Sequence, residues 1–146
     1  MGYYVRLEES TAVLPKKHQA EAYRRMCALN DNDDLKQGGS IGPDGEEKWF
    51  SWMDPNYPDT CADAKAILAD LGFWFPDLSD KSDDLVFEDY DSKAGQEDLF
   101  IFTIGNLMTG YMVWSGEDGD KWRWEFGPDG VKELFPKPVE WVGVKG

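Results

Sequence analysis

Residues 110–130 read GYMVWSGEDGDKWRWEFGPDG, and the reading of this stretch decides the fold. Trp122, Trp124 and Phe126 alternate with Lys121, Arg123 and Glu125, which is the two-residue period of a strand with one buried face. The run over 111–114 is its expected hairpin partner, with Tyr111 and Val113 placed opposite the aromatic face. Asp118-Gly119 between the two runs, and Gly-Pro-Asp-Gly at 127–130 after them, are tight-turn text, because Asp and Gly accept left-handed backbone. Most of these large rings are expected in the core.

Outward from this hairpin, apolar runs at 85–90, 99–104 and 131–134 lie between Gly, Asp and Asn clusters and extend the pattern into an antiparallel meander. Near the N-terminus Tyr3, Val5 and Leu7 alternate with Tyr4, Arg6 and Glu8, a further strand. Pro15 opens a predicted helix over 15–29, where Ala22, Met26 and Leu29 recur at helical spacing. Thr60 with Asp63 three residues on resembles a capping box ahead of Ala64, Ile67, Leu68 and Leu71, and Gly72 stands as the stop of a helix over 61–71. Residues 30–45 carry almost no apolar periodicity and read as a long surface connection. Its Gly-Pro-Asp-Gly at 42–45 repeats the later turn without any wider repeat. Trp49, Phe50, Trp52 and Met53 are expected as a short extended piece against the core, ended by Pro55 and Pro58. The fold class expected is α+β: an antiparallel sheet of five to six strands with two packed helices, in one globular domain over 1–146.

The chain carries 29 acidic and 15 basic side chains, a formal net charge of −14, which opposes approach to phosphate backbones and anionic lipid. No direct nucleic-acid or membrane partner is expected, and the absence of a long apolar run or leader-like N-terminus points to the cytoplasm. Cys27 and Cys61 fall in predicted helices and read as free thiols. His18 is the only histidine, so sites that need two or three imidazoles are excluded, and Cys27 lies more than two helical turns from it. The common hydrolase, phosphate-loop, zinc-helix and dinucleotide motifs are absent, which points to binding rather than catalysis, with no cofactor.

Two acidic stretches stand out, Asp31, Asp33 and Asp34 first, then Asp77, Asp80, Asp83 and Asp84. They do not have calcium-loop spacing: Lys36 occupies the place of the sharp-turn glycine in the first, and neither carries the closing glutamate. As contact segments they suit a basic protein surface. Seven tryptophans exceed the needs of a small core, so Trp49, Trp52, Trp74 or Trp141, near loops or ends, are candidates for exposed contact residues, Trp49 and Trp52 first among them.

The 110–130 stretch together with the opening GYYVRLEES at 2–10 resembles small acidic proteins of bacteria and their phages that combine a strand, a helix and a Trp-rich terminal hairpin. The resemblance implies an accessory protein of a phage or mobile element. Such proteins often inhibit a host defence or nucleic-acid-handling protein by presenting carboxylates to a groove built for phosphates. It carries no functional residue. The alternative is a small-ligand module that holds a nucleotide-like molecule in an aromatic pocket, for which Arg6, Arg24, Arg25 and Arg123 are the available guanidinium donors.

Overall fold

In the computed structural model, which describes residues 3–43, 45–77, 82–93 and 95–136, alternation and burial agree along the first strand. Val5 and Leu7 of β1 (Tyr4–Ser10) are buried while Tyr4 and Arg6 face out. β1 lies in the middle of a six-stranded antiparallel sheet. One side of it holds the meander β8 (Gly110–Gly116), β9 (Lys121–Gly127) and β10 (Gly130–Leu134); the other holds β7 (Asp89–Lys93) and the two-residue β5 (Phe73–Trp74). The fold class is as the sequence indicates, and of the expected meander the three strands over 110–134 are present as consecutive hairpins.

Register decides which hairpin residues share a face. Trp114 pairs with Trp122 and Met112 with Trp124, and this set turns inward; Tyr111 pairs with Glu125 and Val113 with Arg123 on the other face. The expectation that Tyr111 and Val113 oppose the Trp face is therefore corrected by one residue of register. Tyr111 instead lies under the Arg123 guanidinium at 4.0 Å.

Helices cover the inner face. α1 (Lys16–Leu29) buries Ala22 and Met26, and its first-turn Lys16 N–H donates to the Asp84 carboxylate at 2.8 Å, a cap supplied from far along the chain. α2 (Tyr57–Thr60) is a single turn that accommodates Pro58 near its start. α3 (Ala64–Leu71) starts three residues later than expected: Asp63 itself is the cap, accepting from the Ala66 N–H at 2.8 Å, so Thr60 and Cys61 precede the helix. Gly72, at φ 124°, ends it as anticipated.

The clearest departure is the run at 99–104, which is not a strand but most of α4 (Glu97–Ile104). Phe100, Ile101 and Ile104 are buried at one-turn spacing against α1 and the sheet, and an apolar run this short has no period that separates strand from buried helix. Among the described residues the layer on the sheet thus holds three helices of eight or more residues, not two: α3 and α4 contact the strands, and α1 packs on both. The run at 85–90 divides: β6 (Leu85–Val86) pairs with β2 (Val13–Leu14), and only the part from Asp89 joins the large sheet.

The expected surface connection at 30–45 is also corrected. It contains a 3-10 turn over Asp33–Leu35 and then a hairpin of β3 (Gly38–Gly42) and β4 (Gly45–Trp49), closed where Gly42 pairs with Gly45. The hairpin is an arm with an exposed Ile41 near its tip. Residues 50–53 form a tight turn rather than an extended piece, with the Met53 N–H donating to the Phe50 carbonyl at 2.8 Å.

Aromatic residues fill the core in two groups. Phe50, Tyr57 and Phe100 meet edge to face at 5.1 to 6.1 Å, and the Tyr57 hydroxyl donates to the Met26 carbonyl at 2.5 Å. Phe73, Tyr90, Trp114 and Trp124 form the second group, with Trp114 fully buried at its centre. Most of the aromatic surplus is thus structural. Both cysteines are free thiols, and burial pushes each above the usual thiol range. No helix among the described residues is long and apolar enough to cross a membrane.

Candidate functional site

The two acidic stretches do not come together. Asp83 and Asp84 lie at the N-terminal end of α1, where Asp84 caps the helix and the Asp83 carbonyl accepts from the Gln19 amide at 2.8 Å. Asp31, Asp33 and Asp34 follow its C-terminal end, and a helix of 14 residues holds the two ends about 20 Å apart. Asp77 lines a cleft with Asp63, Asp83, Asp84, Lys16 and Lys65, so this end is mixed in charge. Asp80 and Trp141 lie outside the described residues.

The first stretch has different neighbours. Asn32 caps the short 3-10 turn by accepting from the Asp34 N–H, which leaves Asp31 and Asp34 exposed. Asp33 is bound by Lys36 at 2.8 Å, and that ammonium holds its carboxyl below the usual aspartate range. Lys36 also lies over the Phe50 ring at 5.7 Å. The Asn30 amide donates to the Pro55 carbonyl at 2.9 Å, which ties the end of α1 to the segment that carries Trp52.

At that end a cleft of about 640 Å³ opens between the β3–β4 arm, the 50–55 turn and the last turn of α3, lined by Glu47, Trp49, Trp52, Met53, Asp54, Pro55 and Asp70. Trp52 is 44% exposed, yet its position is determined. Its indole N–H donates to the Asp70 main-chain carbonyl at 2.9 Å, satisfying one of the open carbonyls of the α3 C-terminus. Its ring edge also packs on Gly95, where a Cβ would stand 3.1 Å from the Trp52 Cη2 and 2.4 Å from the Ser51 Oγ. Ser51 has φ 47°, the left-handed region that side-chain-bearing residues avoid, and its hydroxyl is buried without a partner among the described residues. Strain of this kind persists only where the surroundings over-determine the backbone.

The cleft is acidic, and the Asp54 carboxylate accepts from the Asn56 N–H at 2.7 Å. Among the described residues no ion pair involves Glu47, Asp54 or Asp70. Partial burial and the nearby Asp54 charge push the Asp70 carboxyl above the usual aspartate range. The α3 C-terminus adds partial negative charge on the same side. Trp49 is half-buried, fitted over Gly38 across the arm. Trp74, 55% exposed on the edge strand, stands apart from this lining.

The cleft therefore brings together Trp49 and Trp52, which the sequence singles out, with Glu47, Asp54 and Asp70, which it does not. Nothing local marks Asp54 or Asp70 among 29 acids; their meaning comes from where α3 ends. No group of three or more metal-ligating side chains occurs among the described residues.

Gln96 and Glu97 are the buried polar side chains of the described residues. Gln96 is satisfied, donating to the Leu35 carbonyl at 2.6 Å and accepting from the Gln37 N–H at 3.1 Å, which secures the base of the arm. Glu97 accepts from the Gly95 N–H at 2.7 Å, but burial raises its carboxyl above the usual glutamate range. With the folded pKa above the unfolded value of about 4.3, the unfolded state ionises first, so Glu97 lowers stability as pH rises through that window and on to the raised folded pKa. Glu97→Gln retains an acceptor for Gly95 and should raise the denaturation midpoint at pH 7, with the gain shrinking towards pH 4. Paired urea melts across that range test this, and a gain independent of pH would contradict it.

Comparison of the chain with protein-family models, curated proteins and solved structures finds no match to any of the three.

Proposed function

We propose that this chain is a non-enzymatic interaction protein that binds a basic surface on a partner protein, through the end of the molecule carrying the β3–β4 arm, the Trp52 cleft and the 31–34 turn. The observation that carries the reading is an outward-fixed tryptophan beside carboxylates that no cation of the described residues engages. An exposed, preorganised Trp supplies contact area at little entropic cost, and uncompensated acids attract and orient a basic surface. The net charge of −14 adds long-range steering. A nucleic-acid-handling protein, whose basic groove is built for phosphates, fits this chemistry best, and the role is then that of an inhibitor of the kind found in phages. Asp77, Asp83 and Asp84 lie at the far end of α1 and contribute to the general field rather than to the contact.

The small-ligand reading attaches to a different place, an open cleft of about 290 Å³ where Arg123 and Lys121 meet Trp122 and Phe135. Arg123 is already engaged there by Glu125 at 2.9 Å and stacked over Tyr111, so it ranks second.

Capture of immobilised basic nucleic-acid-binding proteins tests the first reading. Binding is expected at about 0.15 M salt and should be lost near 1 M, where the screening length falls from roughly 8 Å to 3 Å. Reversing charge at the cleft with Glu47→Lys and Asp54→Lys should slow association about tenfold or more, whereas Asp83→Lys should do far less. Failure to capture any basic protein even at low salt removes the reading.

A further inference from the structure

We propose that the cleft beside Trp52 is a guanidinium site, which takes one arginine side chain of the basic partner with its plane on the Trp52 indole and its N–H groups on the Asp54 and Asp70 carboxylates. The inference rests on the reading above and makes its central contact specific.

Three features lead to arginine. Trp52 is 44% exposed and lines the cleft, yet its indole is held at its N–H by the Asp70 carbonyl and at its far edge by Gly95, so an aromatic contact surface is fixed before any partner arrives. Asp54 and Asp70 line the same cleft and both lack an ion-pair partner among the described residues, so a cation between them offsets like charge. The carbonyl end of α3 points the same way. A planar guanidinium satisfies the ring and both carboxylates at once and is more weakly hydrated than an ammonium; a lysine meets the charge but forgoes the stacking and the two-pronged hydrogen bonding. Of the chain's own cations on this side, Lys36 is committed to Asp33 at 2.8 Å and Lys48 to Glu46 at 3.6 Å.

The occupant is a side chain of a protein rather than a free small cation because the cleft is broad and continuous with acidic surroundings. At about 640 Å³ it exceeds one guanidinium, and Glu47 on the arm leaves room and charge for neighbouring basic residues.

The test compares a short oligoarginine peptide with an oligolysine peptide of the same length, titrated into the full chain labelled with nitrogen-15. The Trp52 indole resonance is identified by its loss in Trp52→Phe. Oligoarginine should shift that resonance and bind about tenfold more tightly than oligolysine. Asp54→Asn and Asp70→Asn should each reduce oligoarginine binding about tenfold; Asp70→Asn retains the main-chain carbonyl that holds Trp52, and an unchanged circular dichroism spectrum and melt show that the fold survives. If both peptides bind equally and the Trp52 resonance does not move, the guanidinium site is overturned while the basic-partner reading stands. If neither peptide nor any basic protein binds at low salt, both fall.

Discussion

Replacing Trp114 with alanine is expected to cost about 3–5 kcal/mol of folding stability, a large part of the roughly 5–15 kcal/mol that holds a domain of this kind together. Trp114 is fully buried on β8 and touches three rings: Phe73 at 6.0 Å, Tyr90 at 5.4 Å and Trp124 at 5.1 Å. These rings come from β5, β7 and β9, so the side chain joins strands from both sides of β1, and alanine leaves a cavity that none of them fills without moving. The same residue offers a control. Its indole N–H is buried without a partner among the described residues, so Trp114→Phe keeps much of the packing while removing an unsatisfied donor, and should cost only about 1–2 kcal/mol. Urea melts of the two variants, with the slope of each transition compared to show that only stability has changed, decide the point. Equal losses would mean that the N–H matters to the fold and that the packing account is wrong.

Gly110→Ala is the second large effect, expected at about 2–5 kcal/mol from two sources. Gly110 has φ 87°, where an L residue pays roughly 1–2 kcal/mol. Its added Cβ would also stand 2.3 Å from the Thr11 carbonyl oxygen, a backbone atom that cannot swing aside, and overpacking of that kind costs roughly 1–3 kcal/mol. Thr11 is itself tied to the start of β8: its N–H donates to the Tyr111 carbonyl at 2.9 Å and its hydroxyl accepts from the Tyr111 N–H at 3.1 Å. The corner between β1 and β2 is thus laid directly on this glycine. Gly119 separates the two sources, since it has a similar φ of 92° but open space around its would-be Cβ, so Gly119→Ala should show the conformational cost alone. Thermal melts in which the two variants lose stability equally would show that the contact with Thr11 yields more readily than its backbone character suggests.

How far the fold could be read from residues varies with the element. The hairpin over 110–130 was legible because period, turn residues and aromatic content agree, and Gly119 and Gly130 both adopt the positive φ that the turn text calls for. The arm at 38–49 was missed although it is closed by the same Gly-Pro-Asp-Gly letters, with Gly45 at φ 116° matching Gly130 at φ 114°. Its strands are short, glycine-rich and largely exposed, so they carry no burial alternation, and turn letters without a flanking period do not specify a hairpin. The run at 99–104 failed for the opposite reason: it is apolar nearly throughout, and only packing on α1 and β10 selects helix over strand.

The candidate site divides along the same line. Trp49 and Trp52 were recognisable as aromatics near loops and prolines, where rings exceed what the core can hold. Asp54 and Asp70 were not, because in a chain with 29 acids a carboxylate acquires significance only through its neighbours.

What the amino-acid sequence by itself determined is therefore local and additive: an α+β chain, an antiparallel meander with named turns, the α1 and α3 segments, and an excess negative charge, each following from a period, a breaker residue or a count. What only the tertiary structure decided is relational. It put Asp83 and Asp84 at the opposite end of α1 from Asp31, Asp33 and Asp34, turned Tyr111 and Val113 away from the Trp face by register, and closed the Trp52 indole onto the end of α3 beside two carboxylates that have no ion-pair partner among the described residues. These outcomes depend on which distant surfaces bury one another, and burial is a property of the packed chain rather than of any window along it.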